Sequence, residues 1–393
     1  MAKHISTKKI EDRDFAFVYS EDYLAYKFHD NHPFNQKRVR MTYDLLLDTG
    51  MLIDKDIIVP RIASDEEILL FHSPTYVDAV KKASTLLLDE KTANDYGLGT
   101  EDTPIFKNMH DASARLVGGT LSAVDAVLRD GYTHALNLGG GLHHGFSNKA
   151  SGFCIYNDSS IAIKYIQKKY GLKVLYIDTD AHHGDGVQWG FYDDPNVCTL
   201  SIHETGKYLF PGTGDVMERG KGAGYGYCFN IPLDAYTEDE SFLEIYKEAL
   251  WKICEFFKPD IILSQNGVDA HYFDPLTHLH CSIEVYKEIP KLAHEAAHTF
   301  CDGKWIAVGG GGYDYSRVVP RAWSYIWFAM TGAYPTSNNL PTSWVSKWQS
   351  ESSTPLITTW DDPKSLFPII PRKGDIEDKN SGTLKKALNI ILK

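Results

Sequence analysis

The chain has no excess of positive charge: 52 Asp and Glu against 40 Lys and Arg leave a formal net charge of −12. That balance keeps a protein soluble but repels polyanions, so nucleic acid is not an expected partner. Cysteine is sparse and unpatterned. The six cysteines, Cys154, Cys198, Cys228, Cys254, Cys281 and Cys301, include no C-x-x-C pair, which argues against a thiolate zinc knuckle and a disulfide scaffold. A reducing cytoplasm is the expected compartment. No uninterrupted apolar run reaches membrane-spanning length, and the opening MAKHISTKKIEDRD is polar, without the apolar stretch of a signal peptide. Neither export nor a membrane is expected, and no internal repeat is visible.

What is present is an ordinary globular composition, 43% hydrophobic over 393 residues. Length alone would allow about two or three domains, although single α/β domains also reach this size. Apolar, β-rich runs occur at FAFVY (15–19), HALNL (134–138), KVLYI (173–177), NVCTLSI (196–202), YCFNI (227–231), DIILS (260–264) and KWIAV (304–308), with helical patterns between most of them. The alternation predicts an α/β fold with a mostly parallel central sheet flanked by helices. Ser64 with Glu67 forms a capping-box signature, Ser73-Pro74 opens the next helix, and Gly131 closes the one before HALNL. An amphipathic stripe marks 239–257. After about Thr336 the sequence turns Ser/Pro/Trp-rich, which reads as a surface-packed C-terminal extension.

Five of the strands are followed by loops that combine glycine with ionisable groups: GGGLHHGF, DTDAHHGDG, HETGKYLFPGTGD, QNGVDAHYFD and GGGGYD. In open parallel sheets ligands bind beyond the carboxyl ends of the strands, so these loops are expected to line one pocket within one domain. In DTDAHHGDG, residues two apart in an extended segment point the same way, so Asp180 and His182 can share a target while His183 faces elsewhere; Asp178 is also expected to face elsewhere. A third ligand, Asp269, would complete an open catalytic metal site. A lone Asp-x-His would more simply cap a turn; the joint occurrence with four other polar loops favours the metal. The pair His143 and His144 follows three glycines. Asp178 and Asp185 could each fix one imidazole, leaving it to activate a water. The glycine run before Tyr313 lets the backbone approach a ligand and deliver a phenol as oxyanion donor. Alone, a tyrosine behind a glycine turn is more often a core residue.

GGGLHHGF, ASGFCIYND, YIDTDAHHGDGVQ, FPGTGD, DAHYFDPL and GGGGYD, in this order, resemble the metal-dependent histone deacetylase family of class I type, over roughly Phe15 to Met330. FVYSEDYLAYKFHDNHPFNQKR and SIHETGKYLFPGTGD look closest to its bacterial acetoin utilization branch. The resemblance implies a single domain of the arginase/deacetylase fold over 1–335, with 336–393 as an extension packed on or near it. It implies zinc, with Fe2+ the alternative in the cell, on Asp180, His182 and Asp269. It also implies dyads His143–Asp178 and His144–Asp185, and Tyr313 as oxyanion donor. The residues leave open which histidine is base and which is acid; family precedent gives the base role to His144. A structural potassium site matches Asp178, Asp180, His182, Ser201 and Ile202, and a second matches Phe191, Asp194, Val197 and Tyr227. Gly152, Phe153 and Phe210 match the acyl-lysine channel, Leu276 its rim, Asp102 the carboxylate that holds substrate backbone, and Arg38 an arginine below the metal. Glu101 competes with Asp102 for its role. Ala181 and Asp314 stand where many relatives have Leu and Asn, away from this chemistry.

The activity implied is hydrolysis of the acetamide of N6-acetyl-lysine in proteins, with acetylated acetyl-CoA synthetase as the partner in acetoin and acetate metabolism. Three rivals remain. An acetylpolyamine amidohydrolase would use the same chemistry. A dinuclear manganese ureohydrolase is weakened because Asp-x-His-x-x-Asp stands where Asp-x-His-x-Asp is expected. An inert acetyl-lysine binder is disfavoured, since the metal ligands, both histidines and Tyr313 are all present.

Overall fold

The computed structural model describes residues 15–391; the opening MAKHISTKKIEDRD lies outside them. Eight strands form one sheet: β1 (Phe15–Val18), β2 (Ile57–Ile58), β3 (His134–Asn137), β4 (Val174–Asp178), β5 (Val197–Glu204), β6 (Cys228–Leu233), β7 (Ile261–Gln265) and β8 (Trp305–Val308). Their order is β2-β1-β3-β8-β7-β4-β5-β6, and every pairing is parallel. The sheet is thus parallel throughout, not merely mostly so. All seven apolar runs became strands. The eighth, β2, is a two-residue edge, too short to carry a period-two pattern. Residues of β3, β4, β5, β7 and β8 are buried along their whole length, which explains why they read as continuous apolar runs: helices cover both faces.

The order has a direct consequence for the site. The chain lays down β3, then β4 to β6 outward, and returns to insert β7 and β8 between β3 and β4. The five strands that precede the polar loops therefore lie side by side as β3-β8-β7-β4-β5, and their carboxyl ends open onto one place.

The helices follow their sequence signals. Ser64 Oγ accepts from Glu67 N at 3.3 Å while Glu67 Oε2 accepts from Ser64 N at 2.9 Å, and Ser73 caps Pro74–Ser84. The helix before β3 ends at Leu128, with Gly131 at φ +86° just beyond. Asp239–Phe257 buries Phe242, Ile245, Tyr246, Ala249, Leu250, Ile253 and Phe257, one stripe at helical spacing. Trp344, Trp348, Trp360 and Leu388 are buried in the central apolar core, and the Trp344 indole donates to Met41 O at 2.8 Å. Trp344 and Trp348, four apart on Thr342–Gln349, share a face, and burying such rings outweighs the polar composition around them.

Candidate active site

Asp178 closes β4, and the loop after it turns into the helix Asp185–Gly190. Asp178 Oδ2 lies 2.8 Å from His143 Nδ1 and also accepts from the Tyr176 hydroxyl at 2.8 Å. Asp185 Oδ1 lies 2.7 Å from His144 Nδ1. An ionised carboxylate only accepts, so each imidazole donates through Nδ1 and keeps Nε2 for proton exchange. The two rings are 4.0 Å apart between centroids, and both are almost wholly buried. Their proton affinities are driven apart. Burial works against a charged His143, but Asp178 and Asp180 carry it up to about 9; burial and the adjacent His143 push His144 down to about 4.

Asp180, His182 and Asp269 come together next to this pair, with one donor atom from each inside 4.8 Å of the others. His182 Nδ1 is 2.9 Å from Asp269 Oδ2 and 3.2 Å from Asp180 Oδ1. Each carboxylate is held from behind: Asp180 Oδ2 accepts from Gln265 Nε2 at 2.7 Å and Gly311 N at 2.6 Å, and Asp269 Oδ1 accepts from Ala181 N at 2.7 Å. Burial, then the Asp180 carboxylate beside it, raise Asp269 to about 7. Burial opposes a charged His182, yet Asp180 and Asp269 hold its imidazole well above the usual range. Two buried carboxylates with one imidazole between them are short of positive charge. Their donor set, two oxygens and a nitrogen with room for more ligands, fits a divalent ion such as zinc. A Cβ at Gly311 would collide with Asp269, so the backbone can approach this cluster only as glycine.

A narrow pocket of about 230 Å³ leads to the cluster, walled by Phe153 and Phe210, with Leu276 and Asp102 on its lining and His144, His182 and Tyr313 exposed within it. The Phe210 ring lies 5.0 Å from His144, and Phe153 lies 5.7 Å from Tyr313. Gly152, at φ +49°, faces both His144 and Phe210 so closely that a Cβ would strike them. Tyr313 sits edge-on to His182 at 6.3 Å. Burial, with Asp269 and Asp180 nearby, raises its hydroxyl well above the ordinary phenol range, which keeps it a donor. Asp102 joins the lining and Glu101 does not. Arg38 is buried beneath the glycine run, donating to Gly312 O at 2.9 Å between the rings of Phe34 and Trp323.

The residues matched to potassium sites are also brought together. Asp178 and Ser201 are register partners on β4 and β5, with Ile202 next in the strand. At the second place the carbonyls of Phe191, Asp194 and Tyr227 accept from Asp194 N, Val197 N and Thr199 N at 3.0, 3.3 and 3.0 Å. Each retains a second lone pair for a cation.

Several working residues were not singled out from sequence. Asp274 accepts from Tyr313 N at 2.7 Å and Leu276 N at 3.0 Å, tying the phenol to the rim. Asp158 accepts from Leu142 N at 2.8 Å and Thr120 Oγ1 at 2.6 Å, anchoring the GGGLHH loop. Gln265 orients Asp180. Leu209 completes the channel wall. Asp274 and Asp158 stand inside the quoted motifs DAHYFDPL and ASGFCIYND, and that placement was the available signal.

Comparison with known proteins agrees with this geometry. The histone deacetylase domain model matches residues 32–330. The acetoin utilization protein AcuC of Bacillus subtilis (strain 168) is 59% identical, covering 96% of this chain and 98% of that one; its namesake in Staphylococcus xylosus is 47% identical, covering 95% and 97%. Among solved structures, a crystal structure of an HDAC homologue complexed with SAHA superposes with a TM-score of 0.85 at 30% identity, covering 95% of this chain and 99% of that chain. An HDAC homologue from Aquifex aeolicus gives 0.81 at 29%, covering 93% and 99%. The parallel sheet is that of the deacetylase fold, and by sequence and architecture together the chain belongs to the histone deacetylase family.

Proposed function

We propose that the protein hydrolyses the acetamide of N6-acetyl-lysine in other proteins, using zinc, or Fe2+ in the cell, on Asp180, His182 and Asp269. The observation that carries this reading is the meeting of that cluster, two carboxylate-bound imidazoles and the Tyr313 hydroxyl at the end of one aromatic-walled pocket. When bound, the ion supplies Lewis acidity to a carbonyl and to a water. His144 faces the pocket and takes a proton from the attacking water through Nε2. Tyr313 donates to the oxygen that becomes negative as water adds to the acetyl carbon. As the C–N bond breaks, a proton from the histidine pair goes to the departing lysine nitrogen, leaving acetate and a free amine. Asp178 and Asp185 hold the two rings in the required tautomer.

Phe153 and Phe210 offer flat apolar surfaces to the methylene stem of lysine, with Gly152 allowing them to close on it. Asp102 accepts two backbone N–H groups of an extended peptide, and Leu276 packs at the rim. K+ at the two carbonyl-rich places would stiffen the loops after β4 and around β5. The Bacillus and Staphylococcus relatives are named for acetoin utilization, and within such metabolism the partner we propose is acetylated acetyl-CoA synthetase. Six buried, unpaired cysteines support a reducing cytoplasm, and no described helix is long and apolar enough to cross a membrane. Residues 1–335 would form the catalytic domain and 336–393 a C-terminal extension that braces it.

An acetylpolyamine amidohydrolase is the second reading, favoured by the exposed acids Glu101 and Asp102 near the rim, which suit a cationic chain. A dinuclear ureohydrolase is disfavoured because Asp185 bonds to His144 and is not part of the Asp180, His182 and Asp269 cluster. Rates on an acetyl-lysine peptide, an acetylpolyamine and arginine, with defined metal, separate the three. A higher kcat/KM on the peptide is the expected result, and preference for the polyamine or arginine overturns it.

A further inference from the structure

A second group of imidazoles lies at the opposite end of the sheet. His134 opens β3, at the amino ends of the strands. His294 and His298 are four apart on the helix Ile283–Phe300, so their side chains rise from one face, one turn above the other. The helix lays that face over the start of β3, and one ring nitrogen from each of the three comes within 4.8 Å of the other two. His134 Nε2 and His298 Nε2 are 3.2 Å apart. Ring centroids are 4.8 Å from His134 to His294 and 4.5 Å from His294 to His298.

From this arrangement we infer a second metal site, in which His134, His294 and His298 bind one borderline divalent transition ion of the Zn2+, Ni2+, Co2+ or Cu2+ class. A tetrahedral ion with Zn–N bonds of about 2.0–2.1 Å places two ligating nitrogens about 3.3–3.4 Å apart, close to the separation of the His134 and His298 nitrogens. Three imidazole nitrogens and no carboxylate among the ligands select against Mg2+ and Ca2+. Only the lone-pair form of imidazole ligates. His134 is fully buried, His294 half-buried and His298 exposed, which gives the ion a route in and leaves its outer position to water. The Phe15 ring stacks on His134 at 5.6 Å and Trp305 flanks it at 5.6 Å, fixing the innermost ligand. An ion here would staple the last turns of the helix to the sheet. It stands apart from the loops at the carboxyl ends, so it serves structure and not the hydrolytic step.

The test is a metal count. Wild type and the His294→Ala/His298→Ala variant are saturated with Zn2+, gel-filtered and analysed by atomic emission, with hydrolysis of the acetylated peptide measured in parallel. Because His294 is half-buried, His298→Ala alone, at the exposed position, serves as a second variant. The expected result is one equivalent of zinc fewer in the double variant, a clear loss in the single one, and unchanged activity in both. Equal zinc in all three proteins overturns the site, as does a loss of zinc accompanied by a loss of activity.

Discussion

Asp362 joins the C-terminal segment to the loop that carries Asp269, and its removal should be costly. Its Oδ1 accepts from Arg321 Nη2 at 2.8 Å; its Oδ2 accepts from His271 Nε2 at 2.9 Å and Ile283 N at 2.8 Å. The Arg321 side chain is 0% exposed and that of Asp362 only 4%. Asp362→Ala would leave a buried guanidinium without its anion, a loss of about 3–5 kcal/mol, a large share of a global stability of about 5–15 kcal/mol. Burial opposes the charged carboxyl, but His271 and Arg321 hold it well below the usual range. A depressed carboxyl stabilises the fold fully above its unfolded value of about 3.9 and loses that contribution as pH falls below it. The assay is urea unfolding followed by circular dichroism at pH 7 and again toward pH 3. Asp362→Ala should shift the midpoint strongly at pH 7, and the gap to wild type should narrow in acid. Because the penalty is an uncompensated charge, Arg321→Met combined with Asp362→Leu should recover much of it. A loss below about 1 kcal/mol at pH 7 for Asp362→Ala would refute the reasoning, since that is the scale of an exposed pair.

Tyr313→Phe keeps the ring against His182 and Phe153 but removes the proposed oxyanion donor, so kcat should fall about 10²–10³-fold with metal content unchanged; near-native kcat would mean the ring is only packed. Asp102→Ala should cost an acetyl-lysine peptide about 1.5–3 kcal/mol in kcat/KM, the scale of hydrogen bonds to a charged group, while an acetylpolyamine, lacking flanking amides, is nearly unaffected. Equal losses on both substrates would assign Asp102 to loop structure.

Much of the site was legible because its chemistry is local. Asp178, Asp180, His182 and Asp185 fall within eight consecutive positions, and a period of two pairs Asp180 with His182, although that same period does not account for Asp178 turning to His143. Strand runs were equally plain, since a parallel sheet buried on both faces leaves no polar alternation to confuse them. The order of strands was not legible: that β7 and β8 insert between β3 and β4 is decided by helix packing far apart in sequence. Nor were the contacts that work through backbone N–H, such as Asp274 on Tyr313, because an acceptor for a distant amide leaves no spacing signature. The burial of the tryptophans after Thr336 was not legible for a related reason, since it depends on Met41 and its neighbours far away in the chain. His134, His294 and His298 come together only when one helix docks over the start of β3.

The central claim is that Asp180, His182 and Asp269 hold an ion on which hydrolysis depends. It is tested most directly by stripping the His294→Ala/His298→Ala protein with a strong chelator and following bound metal and acetyl-lysine hydrolysis together. Chelation should abolish both, Zn2+ should restore both, and Asp180→Ala or Asp269→Ala should recover neither, because an open three-ligand site cannot spare a ligand. Full activity in exhaustively metal-free protein would contradict the account.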